Sequence, residues 1–311
     1  MTSLITNSSA MNALQSLRSV NKGLGQVQDR ISTGLKVASG KDSAAYFQIS
    51  ETMKGDSGAY DAINEGLTLT KNSVATARLG AETITDLAQQ FLDKVAFAQG
   101  AKGGEAEIEN DLKELVKQMT TTLSQSTFNG DDMLAAGATA GAAAVVDTAT
   151  GAFTSRTVAS TGTGAASSRN VVTGVTRAGA AYNTTTIAVD TYDMKKLVAD
   201  FSALATGFSA NATAATGAAF LSGALKSSES VLSDVTNIAT KLGQSEKSVE
   251  NQQEFLNKLV ANIDSGVGSM IDADMEEEAA RLTALQTQQQ LATQALSIAN
   301  QGPQNVLSLF R

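Results

Sequence analysis

Residues 272–311 read DADMEEEAARLTALQTQQQLATQALSIANQGPQNVLSLFR, and the fold is decided there. The stretch holds no glycine or proline before Gly302 and Pro303, and it is rich in Ala, Leu, Gln and Glu. All four are strong helix formers. Asp274 stands where a cap is needed, with Glu277 three residues on. Glu276 and Glu278 add negative charge at the positive end of the helix dipole. Leu282, Leu285, Gln289, Ala292, Leu296 and Ala299 then recur at alternating spacings of three and four, a heptad-like seam. Val306, Leu307, Leu309 and Phe310 follow the proline. Terminal segments are ordinarily polar and frayed, so this apolar cluster is expected to be buried by a partner.

The opposite end carries a matching pattern. Leu17, Val20, Leu24, Val27 and Ile31 keep the same spacing, preceded by Ala10, Ala13 and Leu14. Periodicity leaves two readings open. The two ends form coiled coils with each other and with neighbouring copies, or both are amphipathic helices packed on the chain's own core. A narrow stripe cannot bury itself, so each helix needs a partner either way.

Between the ends lies a long helical plan with one interruption. Gly34, Ser39, Gly40 and Lys41-Asp42 break the first helix, and Asp42 or Ser43 can cap a second beginning at Ala44. Its apolar row is Ile63, Leu67, Thr70, Val74, Ala77, Ala81, Ile84, Ala88, Phe91, Val95 and Ala98. That regularity predicts a rod-like helix ended by Gly100, Gly103 and Gly104. A further helix carries Ile108, Leu112, Leu115 and Met119 and fades near Thr120, and Phe128-Asn129-Gly130 is a turn signal. From residue 135 to about 190 the composition turns to Ala, Gly, Thr, Ser and Val. Val145-Val146, Thr157-Val158, Val171-Val172 and Ile187–Val189 are β-prone, so the insert is a small outward-facing β-rich domain or a partly disordered segment. Helical patterning resumes near Thr191 and is clear from Leu221 through Leu232, Leu242, Leu256 and Ile263. Gly266 and Gly268 are expected to separate it from the terminal helix. The predicted fold is mainly α: a long antiparallel rod bundle, paired terminal coiled-coil helices and a small β-rich insert. Its expected segments are 1–40, 41–134, 135–190, 191–268 and 269–311.

Composition narrows the function. The chain of 311 residues carries a net charge of −8, which argues against nucleic acid. It has no cysteine and no histidine. Disulfides, thiol redox and cysteine or histidine metal ligation are therefore absent, as is every histidine-based triad. No phosphate-binding glycine loop follows a strand, so neither catalytic nor cofactor nor metal residues are assigned. Glu276–Glu278 and Asp131-Asp132 read as a solvated helix start and a turn. No stretch approaches the ~18 apolar residues of a membrane span. The opening MTSLITNSSAMNAL lacks the basic start and apolar core of a secretory signal.

The residues also carry a resemblance. The run Arg30-Ile31-Ser32-Thr33-Gly34-Leu35-Lys36, followed by Lys41-Asp42-Ser43-Ala44-Ala45, resembles the N-terminal region of bacterial flagellins. Ile271-Asp272-Ala273-Asp274 and Asn300 to Leu309 resemble their C-terminal region. The likeness covers roughly the first 130 and last 110 residues and is of alphaproteobacterial type, with a short central variable region. It implies a structural subunit, not an enzyme, that self-assembles into the extracellular flagellar filament used for swimming. The alternative is a hook–filament junction protein of the same terminal plan. A chemoreceptor-type coil would need membrane spans or a docking domain, which the sequence lacks.

The resemblance further implies unfolded export through the flagellar type III channel without a cleaved signal. Implied partners are the export machinery, an export chaperone, the filament cap and the hook-junction proteins. The metallopeptidase motif that some flagellins carry centrally cannot exist without histidine. Many flagellins also bear an Arg-Glu-Leu-Ala-type patch read by the innate immune receptor, where this chain has Asp93-Lys94-Val95-Ala96. Weak receptor recognition is therefore expected. The expected assembly interface comprises Leu17, Val20, Leu24, Val27, Ile31, Leu282, Leu285, Leu296, Val306, Leu307, Leu309 and Phe310. These ends are expected to stay largely disordered until they assemble.

Overall fold

The computed structural model describes residues 7–101, 103–134, 144–155, 167–178 and 181–308. Side chains are described as far as Gln301 in the last helix, so Val306, Leu307, Leu309 and Phe310 fall outside them, as does the Thr157-Val158 stretch. In chain order the elements are α1 (Ser8–Thr33), α2 (Ala44–Gly100), α3 (Glu105–Gln125), β1 (Val145–Val146) and β2 (Phe153–Ser155). They continue with β3 (Ser167–Ala178), β4 (Ala181–Thr191), α4 (Met194–Ala205), α5 (Phe208–Ala212), α6 (Gly217–Ile271) and α7 (Met275–Ser308). The chain is mainly helical, with two small antiparallel sheets, β1–β2 and β3–β4. It divides into two compact units, Met1–Gly58 with Leu259–Arg311, and Ala59–Lys258. Both divisions fall inside α2 and α6, away from the interhelical turns at which the sequence reading draws its segments.

In the unit 59–258 the apolar row of α2 is the core. Every member from Leu67 to Ala98 is buried, and Ile63 is half-buried. Phe91 packs against Phe201 of α4 with ring centroids 4.9 Å apart, and Phe208 meets Phe220 edge-on at 5.7 Å. Ile108, Leu112, Leu115 and Met119 of α3 are buried as their spacing predicts. Along the polar margin, α2 and α6 run antiparallel through Asn64–Asn257 (2.7 Å), Thr68–Gln253 (2.8 Å) and Arg78–Glu246 (2.7 Å). Arg78 also pairs with Glu82, and hydrogen bonding to Glu246 and then Glu82 raises its pKa.

Two features depart from the sequence reading. Helix α3 does not fade at Thr120 but continues to Gln125. The hydroxyls of Thr120 and Thr121 donate back to the carbonyls of Val116 and Lys117, so these threonines stay within the helix. Helix α6 runs through Gly266 and Gly268 and stops at Ile271. A Cβ at Gly268 would meet only the tip of the Asp272 carboxylate at 2.6 Å, a flexible group that can swing aside. The described strands of the insert lie within the unit 59–258. Val189 and Val171 of the β3–β4 hairpin are buried, Tyr60 donates to the Val175 carbonyl, and Gln252 donates to that of Thr173.

Two turns anchor this unit. Asn129 (φ 50°) and Gly130 (φ 80°) both take positive φ, closing the Phe128–Asp131 bridge as a tight turn. Asp131 then accepts from the Ser73 hydroxyl at 2.5 Å and from the Arg169 guanidinium, tying the turn to α2 and β3. On the far side of the insert Gly151 (φ 64°) lies against the backbone of α6 at Phe220, and Gly223 of α6 lies against the Thr150 carbonyl. Ser227 donates to the Gly151 carbonyl at 3.1 Å and completes the notch.

Candidate assembly interface

In the other unit, α1 begins under a side-chain cap, with Asn7 accepting from the Ala10 amide at 3.1 Å. It ends on Gly34 in the left-handed region (φ 72°), whose N–H returns to the Arg30 carbonyl. Asp42 does not cap α2. Its carboxylate accepts from the amide and hydroxyl of Ser39 and so closes the connecting turn. On the other side of the pair, Asp274 caps α7 as expected, accepting from the amides of Glu276 (3.0 Å) and Glu277 (3.2 Å).

A short backbone clasp sets the pairing of α1 with α7. Leu35 bridges Asp272 in antiparallel fashion, the amides of Lys36 and Val37 donate to the Ile271 carbonyl, and Ala273 donates to that of Gly34. Val37, Val267 and Ile271 form a small core beneath it, flanked by Leu35, Phe47, Met53, Ile263 and Met270. From this clasp the helices run antiparallel. Arg30 meets Glu278 (3.1 Å), Asn21 meets Gln289 (2.7 Å), and the Asn7 side chain donates to the Ala299 carbonyl (2.8 Å). Gly23 faces Leu285.

Leu17, Val20, Leu24, Val27 and Ile31 line the inner side of α1, and Leu282, Leu285 and Leu296 that of α7. Only Val27 is buried; the other seven are half-buried. Two helices can cover a two-residue seam no further. The structure therefore brings these residues together within one chain, and it describes no side chain for Val306, Leu307, Leu309 or Phe310.

Two features went unread in the sequence. Glu278, taken as part of a solvated helix start, is buried (5%), and its Oε1 accepts from Arg30 while Oε2 has no hydrogen bond partner. Arg281 stands 3.6 Å from the same Oε1, so removing Arg30 would leave the buried carboxylate with one, more distant cationic partner. The second feature is an outer apolar row: Met11 (62% exposed), Leu14 (37%), Leu291 (60%) and Ile298 (70%) face away from the seam. The seven-residue step from Leu291 to Ile298 was the available signal. It lay hidden because the inner row already satisfied the heptad pattern.

Among the described residues no cluster of three or more acidic side chains could hold a metal, and no helix is long and apolar enough to cross a membrane. Long helices whose first and last members meet in a half-covered seam define a class: helical structural subunits with paired ends. Family models agree. The bacterial flagellin N-terminal helical region matches residues 4–139, and the bacterial flagellin C-terminal helical region matches residues 225–310. Flagellin of Brucella melitensis biotype 1 is 34% identical over the whole of both chains. Flagellin C of Rhizobium meliloti is likewise 34% identical over both full lengths. Flagellin FljM of Caulobacter vibrioides is 31% identical, covering all of this chain and 99% of its own.

The chain belongs to the bacterial flagellin family, and its relatives are alphaproteobacterial. It is a structural subunit that self-assembles into the extracellular flagellar filament used for swimming. These relatives lend no support to the hook–filament junction alternative.

Proposed function

We propose that the α1–α7 pair forms the inner assembly surface of the filament, with residues 1–40 and 269–311 as its core. Segments 41–134 and 191–268 serve as the two halves of the helical rod, and 135–190 as the variable insert. Contacts are heterologous, since only head-to-tail contacts build an open helical polymer. Leu17, Val20, Leu24, Val27, Ile31, Leu282, Leu285 and Leu296 hold the pair in register. Val306, Leu307, Leu309 and Phe310 extend the apolar surface toward neighbouring copies. One observation carries this reading: seven of the eight seam residues remain half-exposed when one chain has made every contact it can.

A half-covered pair gains little from closing alone, so α1 and α7 order fully only as copies add. Loosely held ends also suit threading through the flagellar type III channel without a cleaved signal. By family analogy the export machinery, an export chaperone, the filament cap and the hook-junction proteins are partners. The chain acts without catalysis or cofactor, since it offers neither histidine nor cysteine. Innate immune recognition is expected to be weak by family analogy, since Asp93-Lys94-Val95-Ala96 stand in place of the Arg-Glu-Leu-Ala-type patch, and Lys94, which pairs with Asp111 (2.6 Å), cannot make an arginine's bidentate contact.

The test is seeded polymerisation of the purified chain with and without residues 300–311, followed by electron microscopy. The full chain elongates seeds and the truncated chain does not. Equal elongation would remove residues 300–311 from the interface.

A further inference from the structure

Beneath the clasp the core has three buried residues, Val37, Val267 and Ile271, and two of its half-buried flanks are thioethers, Met53 of α2 and Met270 of α6. Gly266 makes room for the first. The terminal methyl of Met53 lies 3.5 Å from where a Cβ on Gly266 would stand, so a bare stretch of α6 receives the tip of that flexible side chain. Met270 follows one turn later on the same helix and packs against the same three residues. The other described sulfurs are placed differently. Met119, Met133 and Met194 are fully buried within 59–258, whereas Met11 (62% exposed) and Met275 (46%) stand largely in solvent. The chain has no cysteine, histidine or tryptophan, so its thioethers are the softest targets for a two-electron oxidant.

We infer that Met53 and Met270 form an oxidation site for hydroperoxides, and that their conversion to sulfoxides opens the clasp. In each event the O–O bond of the peroxide breaks, one oxygen joins a lone pair of the sulfur, and the other leaves as water. The thioether loses two electrons and the peroxide gains them, with no net proton required. An apolar sulfur thereby becomes a polar group with a strong acceptor oxygen. That oxygen needs a donor, and the clasp amides are already engaged. Those of Lys36 and Val37 donate to the Ile271 carbonyl, that of Ala273 to Gly34, and that of Asp272 to Gly268. A sulfoxide at either position therefore stays in place unsatisfied, or swings to water and uncovers the core. A core of three buried residues has little packing to hold it closed against that change. Full burial of Met119, Met133 and Met194 spares the unit 59–258 from the same oxidant.

The test treats the purified full chain with graded hydrogen peroxide. Peptide mass mapping follows oxygen uptake at each methionine, and amide hydrogen exchange follows Lys36, Val37 and Ala273. Met53 and Met270 should be oxidised at a dose that leaves Met119, Met133 and Met194 intact. Exchange of the three clasp amides should then quicken at least about tenfold. Met53→Leu/Met270→Leu keeps the apolar volume without the sulfur, and its clasp should not respond to peroxide. Met11→Leu/Met275→Leu should respond as the unmodified chain does. Oxidation of Met11 and Met275 with Met53 and Met270 untouched would overturn the site. So would unchanged clasp exchange in a chain carrying both sulfoxides, or an undiminished response in Met53→Leu/Met270→Leu. Loss of the response in Met11→Leu/Met275→Leu would move the effect to the exposed sulfurs and overturn it as well. Free exchange of the clasp amides before any peroxide is added would leave no closed clasp to open, with the same consequence.

Discussion

The rows on α2 and on α7 look alike on paper, three and four residues apart without a break, yet they end in different places. On α2 the row from Leu67 to Ala98 is buried throughout within residues 59–258, where Phe91 packs on Phe201 of α4 and side chains of α2 pair with Asp111 of α3 and Glu246 of α6. On α7 the row from Leu282 to Ala299 is half-buried throughout, where α1 packs along it. A heptad row states which face is apolar. It does not state how many helices will cover that face. The number of partners decides whether a segment is a finished core or an unfinished one.

Substitutions should therefore split along the same line. Phe91→Ala empties a fully buried site against Phe201 and should lower the unfolding free energy of the monomer by about 3–5 kcal/mol. Leu285→Ala, in the half-covered seam, should cost the monomer well under half as much while blocking seeded elongation. Denaturant titration and seeded assembly of both variants read the two effects. If Leu285→Ala destabilises the monomer as strongly as Phe91→Ala, the contrast collapses.

A smaller effect sharpens the finished side. Gly223 accommodates the Thr150 carbonyl, and a methyl there must push the β1–β2 turn off α6. Gly223→Ala should cost about 1–3 kcal/mol in thermal unfolding of the monomer and spare the register of the terminal pair. Smaller still is the cap on α7. Asp274→Ala removes the acceptor for the Glu276 and Glu277 amides and should cost about 1 kcal/mol of helix stability. On the proposal that α7 is completed by assembly, the loss should register as a raised critical concentration more than as a lowered monomer melting temperature.

The smallest expected effect is acid sensitivity within 59–258. Glu109 is held below the usual carboxylate range, first by the Lys113 ammonium and then by the Ser209 amide. A depressed carboxylate stabilises the fold fully above its unfolded-state pKa, and this is lost as pH falls through the folded-state value. With no histidine in the chain, stability should change little across the neutral range and decline on the acid side. Replacing Glu109 by Gln should flatten part of that decline, as seen in denaturation midpoints against pH. An unaltered acid limb would show that Glu109 contributes nothing to it.

Much of this was legible in the residues because helix signals are local. The Asp274 cap, the glycine stop after α2 and the rows on α2 and α3 all depend on neighbours within a turn or two. What could not be read depends on distant partners. Glu278 is buried, and one of its two cationic partners, Arg30, lies 248 residues away. Gly266 and Gly268 read as a break, although tertiary packing held the helix through them to Ile271. The β3–β4 hairpin was legible as strand from its valines, but its place along α2 and α6 rests on Tyr60 and Gln252, ordinary polar residues in a helix.

Amide hydrogen exchange on the free chain and on sheared filaments tests the contrast between finished and unfinished cores most directly. The expected result is protection along α2, α3 and α6 within 59–258 in both states. Protection along α1 and α7 should appear only in the filament. Equal protection of α1 and α7 in the free chain would contradict it, for the terminal pair would then be complete without neighbours.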